Sequence, residues 1–427
     1  MSVVDLPVNS DAPAVAERIP GLWKTPIVMA VFTVLVALLV IVAPRTGDST
    51  FRWSRDGDWF VIPDITLPAN GVVWTAVVLC LLCTAYAAWN ARAGHRTPLV
   101  LVAAFAVIAV SGFLAWAVAG KTLPVVGLLA GALALAVPLV FGALGGVIGE
   151  RAGVVNIAID GQLLFGAFGA AIVASVTGSP WAGLVAAMVA GMLVALLLGL
   201  FAITYWVEQV IVGVVLNVLV IGFTSFMFSQ VLSENAAALN NPPHFPRWEI
   251  PLLSGVPVLG PIFFRQTVLV YLMYAAVFLI AWALYRSKWG LRVRAVGEHP
   301  KAADTVGINV IATRYRTIVL AGAIAGIGGA TYTLVSVPSF GREMTGGAGY
   351  IALAAVIFGK WDPIKATLAA LLFGFASNVE SVLSVIGSPV PSQFMLMLPY
   401  VVTIFAVAGL VGHSRAPAAD GIPYRKG

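Results

Sequence analysis

Charge is what this chain has least of. Only 10% of its 427 residues are Asp, Glu, Lys or Arg, against about a quarter in a typical soluble chain. A soluble enzyme and a nucleic-acid binder are thereby excluded as principal readings. Histidine is scarce as well: His95, His244, His299 and His413 all lie outside the long apolar runs. With no serine–histidine pairing or metal-type cluster in the sequence, a membrane-embedded enzyme is the weakest alternative. Cysteine occurs only as Cys80 and Cys83. Their C-x-x-C spacing would suit redox work in a thioredoxin-like setting. Inside the apolar run Val72–Trp89 they read instead as small apolar side chains facing lipid or a neighbouring helix. The sequence also has no G-x-x-x-x-G-K-[ST] loop to cradle phosphates, so this chain does not hydrolyse ATP itself. No secretory cleavage pattern follows the first apolar run, which is kept as a true span.

Apolar sequence is what the chain has in abundance. Hydrophobic residues make up 60% of it and the mean hydropathy is +0.99. Several runs exceed the ~18 to 20 residues that cross a bilayer core. Segments fall at Ile27–Ala43, Val72–Trp89, Pro98–Gly120, Leu123–Ile148, Gly161–Val176, Trp181–Ile203, Glu208–Leu232, Gln266–Tyr285, Ile318–Val337, the short Gly347–Gly359, Ile364–Ile386 and Phe394–Val411. The expected fold is all-α, a polytopic transmembrane bundle of about twelve segments that includes broken or re-entrant half-helices. An even number of crossings leaves both termini on one side. Seven of the 24 Lys and Arg (Arg45, Arg52, Arg55, Lys121, Arg247, Arg265 and Arg342) then share one side with the other seventeen opposite, so the positive-inside rule makes both termini cytoplasmic. Residues 1–26 and 412–427 read as cytoplasmic tails, 27–120 as extra N-terminal helices, and 121–411 as the motif-bearing body. The long outer loops 44–71 and 233–265 either cap an extracellular mouth or dock a delivery protein, or are solvated connectors.

Three motifs interrupt the apolar pattern. The first, Gly149–Gln162, follows Pro138 and Gly142, Gly145 and Gly146, all of which weaken a helix. Irregular backbone at membrane depth survives only when buried in protein or lining a cavity, and such breaks are where many transporters hold substrate. Asn156 and Asp160, four apart, share a face if that stretch is helical. With Gln162 they offer donors and acceptors to a polar solute, or else they cap the next span. Glu150 and Arg151 read as a pair at the cytosolic interface. The second motif, Gly290–Ile308, holds Pro300 and Gly307 as helix start and stop. The two-turn helix between them is too short to stand alone. It either docks where a partner can push it or lies on the lipid surface as an amphipathic connector. The third is the small-residue face Gly322–Gly329, which reads as close helix packing. It is followed by Ser339–Tyr350, a Gly-rich entry into the short segment, which echoes the first break.

At these motifs the chain resembles the membrane-spanning permease subunits of bacterial ABC importers, in the group that handles nucleosides and simple sugars; branched-chain amino acid permeases are more distant kin. GERAGVVNIAIDGQ is similar to that family's broken-helix signature, RAVGEHPKAADTVGI to its coupling loop, and AGAIAGIGGATYT and GYIALAAVIFGKWDPIKATLAALLFGF complete the match over residues 121–411. The GYIALAAVIFGKW form is similar to one of two paired nucleoside permeases. The family's usual acid in the first motif is Glu, where this chain has Asp160. The resemblance implies two cytosolic ATPase subunits that bind ATP and Mg, a second homologous permease, an extracellular or periplasmic solute-binding lipoprotein, and a place in the bacterial plasma membrane. The chain itself would bind no cofactor or metal. Arg294, Gly297, Glu298, His299, Pro300, Lys301, Ala302, Ala303 and Gly307 would couple to the ATPase.

Asn156, Asp160, Gln162, Phe165, Asn217 and Phe358 are the candidate pathway residues, with Phe168 as a further wall. Asn217 lies nine residues past Glu208, about 13.5 Å along the helix and on its opposite face, so Asn217 goes to the pathway and Glu208 to the cytosolic interface. Asn378 and Glu380 are equally placed for a gate or a helix–helix bond. The alternative function is an ion-coupled secondary transporter, suggested by Glu208, Asp160 and Glu380 within or beside spans.

Overall fold

A computed structural model of the chain describes residues 22–388, 393, 397 and 415–426. The expected last span, Phe394–Val411, lies outside the described residues except for Met397, as do residues 1–21, 412–414 and 427. Ten helices among the described residues are long and apolar enough to cross a membrane. The expectation of a polytopic helical bundle is met.

The described residues up to Thr46, with Pro68–Trp116, make one compact unit. It contains α1 (Lys24–Val42), α2 (Ala69–Arg92) and α3 (Leu99–Ala117). Met29, Cys80, Ala87 and Phe105 form its small core. Thr33 bonds back to Met29 O at 2.8 Å and meets the Thr84 hydroxyl at 3.3 Å, the usual way a hydroxyl is satisfied between apolar helices. Both cysteines are free thiols and Cys80 is buried, in keeping with the apolar reading.

Gly47–Leu67 and the described residues from Ala117 onward make the second unit. A small sheet, in the order β2 (Ile65–Pro68), β1 (Asp48–Arg52) and β3 (Thr122–Pro124), pairs β1 parallel to β3 with Thr50 opposite Thr122. Then come α4 (Val125–Arg151), α5 (Ile159–Thr177), α6 (Pro180–Thr204), α7 (Gln209–Leu232) and the four-residue α8 (Ala236–Leu239). β4 (Arg247–Glu249) pairs antiparallel with β5 (Arg265–Thr267). The remaining elements are α9 (Val268–Arg286), α10 (Lys288–Glu298), α11 (Pro300–Thr305), α12 (Val310–Ser336), the short α13 (Ala348–Phe358) and α14 (Pro363–Ile386).

The two long loops, read from sequence as solvated connectors or docking caps, are stapled together. Arg265 donates to Ser254 O, Asp56 O and Gly57 O at 2.5–2.8 Å and to the Asp58 carboxylate at 3.2 Å. A cavity of about 460 Å³ beside it is lined by Arg52, Arg55, Arg247, Asp56 and Glu249. With Arg52 bound to Asp64 and Arg265 to Asp58, its charges are close to balanced.

Helix α4 is the hub of this unit. It runs unbroken through Pro138, so that proline does not take part in the break expected from sequence. The glycines after it serve packing: a Cβ on Gly142 would meet Ala352, on Gly145 the Ala321 carbonyl, and on Gly146 Val356, each within 2.9 Å. The small-residue face of α12 does the same against α6. There a Cβ on Gly326 would land on the Ala187 carbonyl, and one on Gly191 on that of Gly322. Close backbone approach replaces side-chain burial as the source of packing where lipid is already apolar. Helix α12 starts at Val310, eight residues ahead of the expected Ile318, and so carries Arg314 into the interior, where it is 1% exposed.

Candidate functional site

After Arg151 the chain leaves helix for Ala152–Ala158 and re-enters it at Ile159. This connection is buried: Ala152, Val154, Asn156 and Ala158 are all 0% exposed. Buried non-helical backbone must find partners, and Gln209 Oε1 accepts Val155 N–H at 2.7 Å. Because the stretch is not helical, Asn156 does not share a helix face with Asp160, contrary to the periodicity argument. Its amide closes on Gln162 instead, Nδ2 to Oε1 at 3.0 Å and Gln162 Nε2 to Asn156 Oδ1 at 3.3 Å.

Neither residue caps α5, whose N-cap is Ala158 with no side-chain cap bond. One of the orphan donors at its start is met from α7, where Asn217 Oδ1 accepts Gly161 N–H at 2.8 Å. The same amide donates to Ile157 O at 2.9 Å and to the Tyr350 hydroxyl at 3.1 Å. Asp160 reaches across to another helix start. Its Oδ1 accepts Gly349 N–H at 2.9 Å and its Oδ2 the Thr345 hydroxyl at 3.4 Å. Helix α13 opens at Gly347 (φ +82°) without a side-chain cap of its own, so Asp160 supplies one. A Cβ on Gly349 would fall on the Asp160 backbone, so only glycine permits this approach.

Two helix N-termini, those of α5 and α13, therefore converge on Asp160, Asn217, Thr345 and Tyr350. Each end carries a partial positive charge that favours a carboxylate. Asn217 is eight residues into α7, about 12 Å from its start, so both helices begin at that depth in the bundle. Asp160, Asn217 and Thr345 are 4%, 1% and 6% exposed, whereas Tyr350 is 48% exposed. The cluster reaches the surface through Tyr350.

Aromatic rings follow along α5. Phe168 meets Phe340 edge-on at 5.3 Å, Phe165 and Phe168 both meet Phe223 at about 6 Å, and Phe340 meets Phe228 at 6.3 Å. Phe358 is not among them. It stands at the far end of α13, about 13 Å along the axis from Gly349, edge-on to Phe373 at 5.5 Å.

Glu150 and Arg151 do not pair with each other. Glu150 accepts Trp361 Nε1–H at 2.5 Å, and Arg151 Nε donates to Trp361 O at 2.9 Å. Glu208 caps α7 through Val210 and Ile211 N–H. Asn378 donates to Leu128 O at 2.6 Å, a helix–helix bond, and Glu380 is half-buried beside Ser381.

The second motif folds as its punctuation implies. His299 Nδ1 accepts Ala302 N–H at 3.1 Å, Pro300 opens α11, and Gly307 follows it at φ +86°. Ala303 is 3% exposed and packs with Val296, Val310 and Tyr424, so α11 is docked on the protein through this residue. Gly297 is buried, where a Cβ would land on Arg151 O. Arg294 stands over the Tyr285 ring at 5.4 Å. Glu298, His299, Lys301, Ala302 and Gly307 are exposed. Sequence reading passed over Thr345, Tyr350, Phe223, Phe340 and Tyr424. Only the glycine run ahead of Tyr350 signalled any of them.

Residues 128–407 match the family described as branched-chain amino acid transport system / permease component. The guanosine ABC transporter permease protein NupQ of Bacillus subtilis is 41% identical over 308 residues, 69% of this chain and 95% of the relative. The nucleoside ABC transporter permease protein NupC of Lactococcus lactis is 37% identical over 312 residues, 70% and 96% of the two chains. The guanosine permease protein NupP of Bacillus subtilis is 23% identical over 286 residues, 63% and 79%. No solved structure matches the chain.

Proposed function

This chain belongs to the branched-chain amino acid transport system permease family, and from that premise we propose that it is the membrane-spanning permease subunit of an ABC importer for nucleosides. The observation that carries the reading is the pair of relatives named for guanosine and nucleosides, matched at 41% and 37% identity over 95% and 96% of their lengths. The cluster where α5 and α13 meet supports it. A neutral nucleoside needs hydrogen-bond partners and an aromatic or apolar wall. Asn217 and Tyr350 offer the first, and Phe165, Phe168, Phe223 and Phe340 the second. Asp160, Asn156 and Gln162 act one step back, as the bonds that hold the two helix starts in place.

The basic end of the bundle faces the cytosol of a bacterial inner membrane, in accord with the positive-inside rule. Two ATPase subunits dock there on α10 and α11 and bind the ATP and Mg. A second, homologous permease completes the pathway, and a solute-binding lipoprotein delivers substrate from the far side. Residues 27–120 are helices additional to the permease body 121–411.

Reconstitution of the permease pair with its ATPases and lipoprotein in liposomes tests this. Labelled guanosine should accumulate only with ATP present, and Lys301→Glu on the exposed face of α11 should abolish accumulation. Accumulation driven by a proton or sodium gradient without the ATPases would overturn the reading in favour of an ion-coupled transporter.

A further inference from the structure

The last described stretch of the chain, residues 415–426, has no helix or strand. Chain ends of this kind usually fray unless tied down, and this one is tied at several points. Ala419 N–H donates to Gly297 O at 2.8 Å. Ala418 N–H donates to the Glu298 carboxylate at 3.3 Å. The Arg314 guanidinium donates to Ile422 O at 2.9 Å and Ala419 O at 3.4 Å. The Tyr424 ring completes the small core of Val296, Ala303 and Val310, and Arg425 lies 4.4 Å over the Trp206 ring between α6 and α7. On its inner side the segment closes on the buried connection after α4. There Gly153 (φ +81°) leaves no room for a Cβ, which would sit 2.8 Å from Arg314 Nη2 and 2.9 Å from Ala419 O.

Two features make this more than incidental packing. Helix α11 has six residues, too few to hold its shape alone. Its one buried residue, Ala303, rests on a core that Tyr424 completes. Arg314 is 1% exposed and donates to carbonyls of this segment, so lifting the segment leaves those donors in a buried site without acceptors, a costly state. We propose that Pro417–Arg425 is a positioning strap that ties α11 to the buried connection Ala152–Ala158, so that a push on α11 moves the start of α5. This rests on the permease reading.

The test uses the full importer in liposomes and compares transport per ATP hydrolysed. One variant lacks residues 416–427, and a second, Tyr424→Ala, removes the ring together with the hydroxyl that bonds Asp304 of α11. Both should hydrolyse ATP at an undiminished rate while transport per ATP falls, about tenfold for the truncation, the scale of the two buried Arg314 bonds lost, and in the same direction for Tyr424→Ala. Tyr424→Phe, which keeps the ring and gives up only the bond to Asp304, should restore coupling. An unchanged ratio, or hydrolysis and transport falling together, overturns the strap. Should the truncation fail to assemble, Tyr424→Ala decides alone. Hydrogen exchange provides an arm independent of transport: Tyr424→Ala should lose protection both in Pro300–Thr305 and in Ala152–Ala158, and unchanged protection of the connection overturns the proposal. Absence of ATP-driven uptake by the unaltered complex counts against the permease reading instead, and leaves the exchange result to judge the strap.

Discussion

Asp160 is the residue whose replacement separates structure from substrate contact. Asp160→Ala removes the acceptor of Gly349 N–H and of the Thr345 hydroxyl. The hydroxyl can rotate to another acceptor, but the amide at the start of α13 cannot. A buried donor left unpaired costs about 1–3 kcal/mol, a figure that already includes the lost cap, so a loss of roughly 1–3 kcal/mol is expected. Asp160→Asn keeps an oxygen for Gly349 and turns an amide toward Thr345, whose hydroxyl can accept. Only the charge goes. Its attraction to two helix ends is worth about 0.3–1 kcal/mol each, offset by the easier burial of a neutral group. The net effect should lie within about 1 kcal/mol. Denaturant unfolding of the purified protein in mixed micelles reads both, and uptake by the reconstituted importer reads function. Asn should transport and Ala should not. Asp160→Ala as stable as the unaltered chain, or Asp160→Asn as damaged as Asp160→Ala, would refute the capping argument. A stable Asp160→Asn without uptake would instead place the carboxylate against substrate.

Gly349→Ala should force the starts of α5 and α13 apart, since its Cβ falls on Asp160 backbone; uptake should vanish with expression retained, and equal uptake would remove the close approach from the mechanism. Asn217→Leu, similar in size, should strand the Gly161 amide and lower stability by about 1–3 kcal/mol in the same unfolding assay. For Asp420, burial pushes the carboxyl up to about 7, against a bond from Gly421 N–H and the pull of the Arg314 guanidinium; the Glu150 carboxyl also acts on it. The docked segment thus holds its proton more firmly than a free one. That contribution is complete below the ordinary carboxylate range and lost as pH rises through about 7. Protease protection of residues 416–426 should therefore fall as pH rises from the ordinary carboxylate range to about 7 and level off above it, and Asp420→Asn should flatten the profile.

The membrane helices were legible because each buries or exposes a nearly unbroken apolar run, and length alone then sets the crossing. Their ends were legible only where local chemistry marks them, as Pro300 and Gly307 do for α11. Helix α12 began early for a reason no local pattern carries. Arg314 and Arg316 cut the hydropathy signal, yet Arg314 is accepted inside because carbonyls 105 and 108 residues away meet it. The three-residue strands were invisible for the same cause, each depending on a distant partner such as Thr50 on Thr122. At the site, the residue types were legible and the geometry was not. Asn156, Asp160 and Gln162 stood out as polar groups in apolar sequence, but their helical spacing did not apply across a non-helical stretch. Tyr350 was hidden in an apolar run.

One consequence of the geometry concerns α13 as a moving part. Its start is held by Asp160 through Gly349, and the turn beyond its end is held by Glu150 and Arg151 through Trp361. All three holding residues belong to the stretch Gly149–Gln162. Helix α13 is about 16 Å long and is thus gripped near both ends by one segment. It can shift only if that segment shifts with it or a buried bond breaks. Gly297 on α10 rests on the Arg151 carbonyl, so the same segment is also packed closely against the helix that precedes α11. A stiff rod pinned at two points to one lever needs no long chain of couplings. Displacing the lever tilts α13, and Tyr350, one residue past the Gly349 pin, is carried with it. Energetic coupling travels through discrete packed elements of this kind, so a cluster that reaches the surface only through Tyr350 would answer to a displacement of Gly149–Gln162.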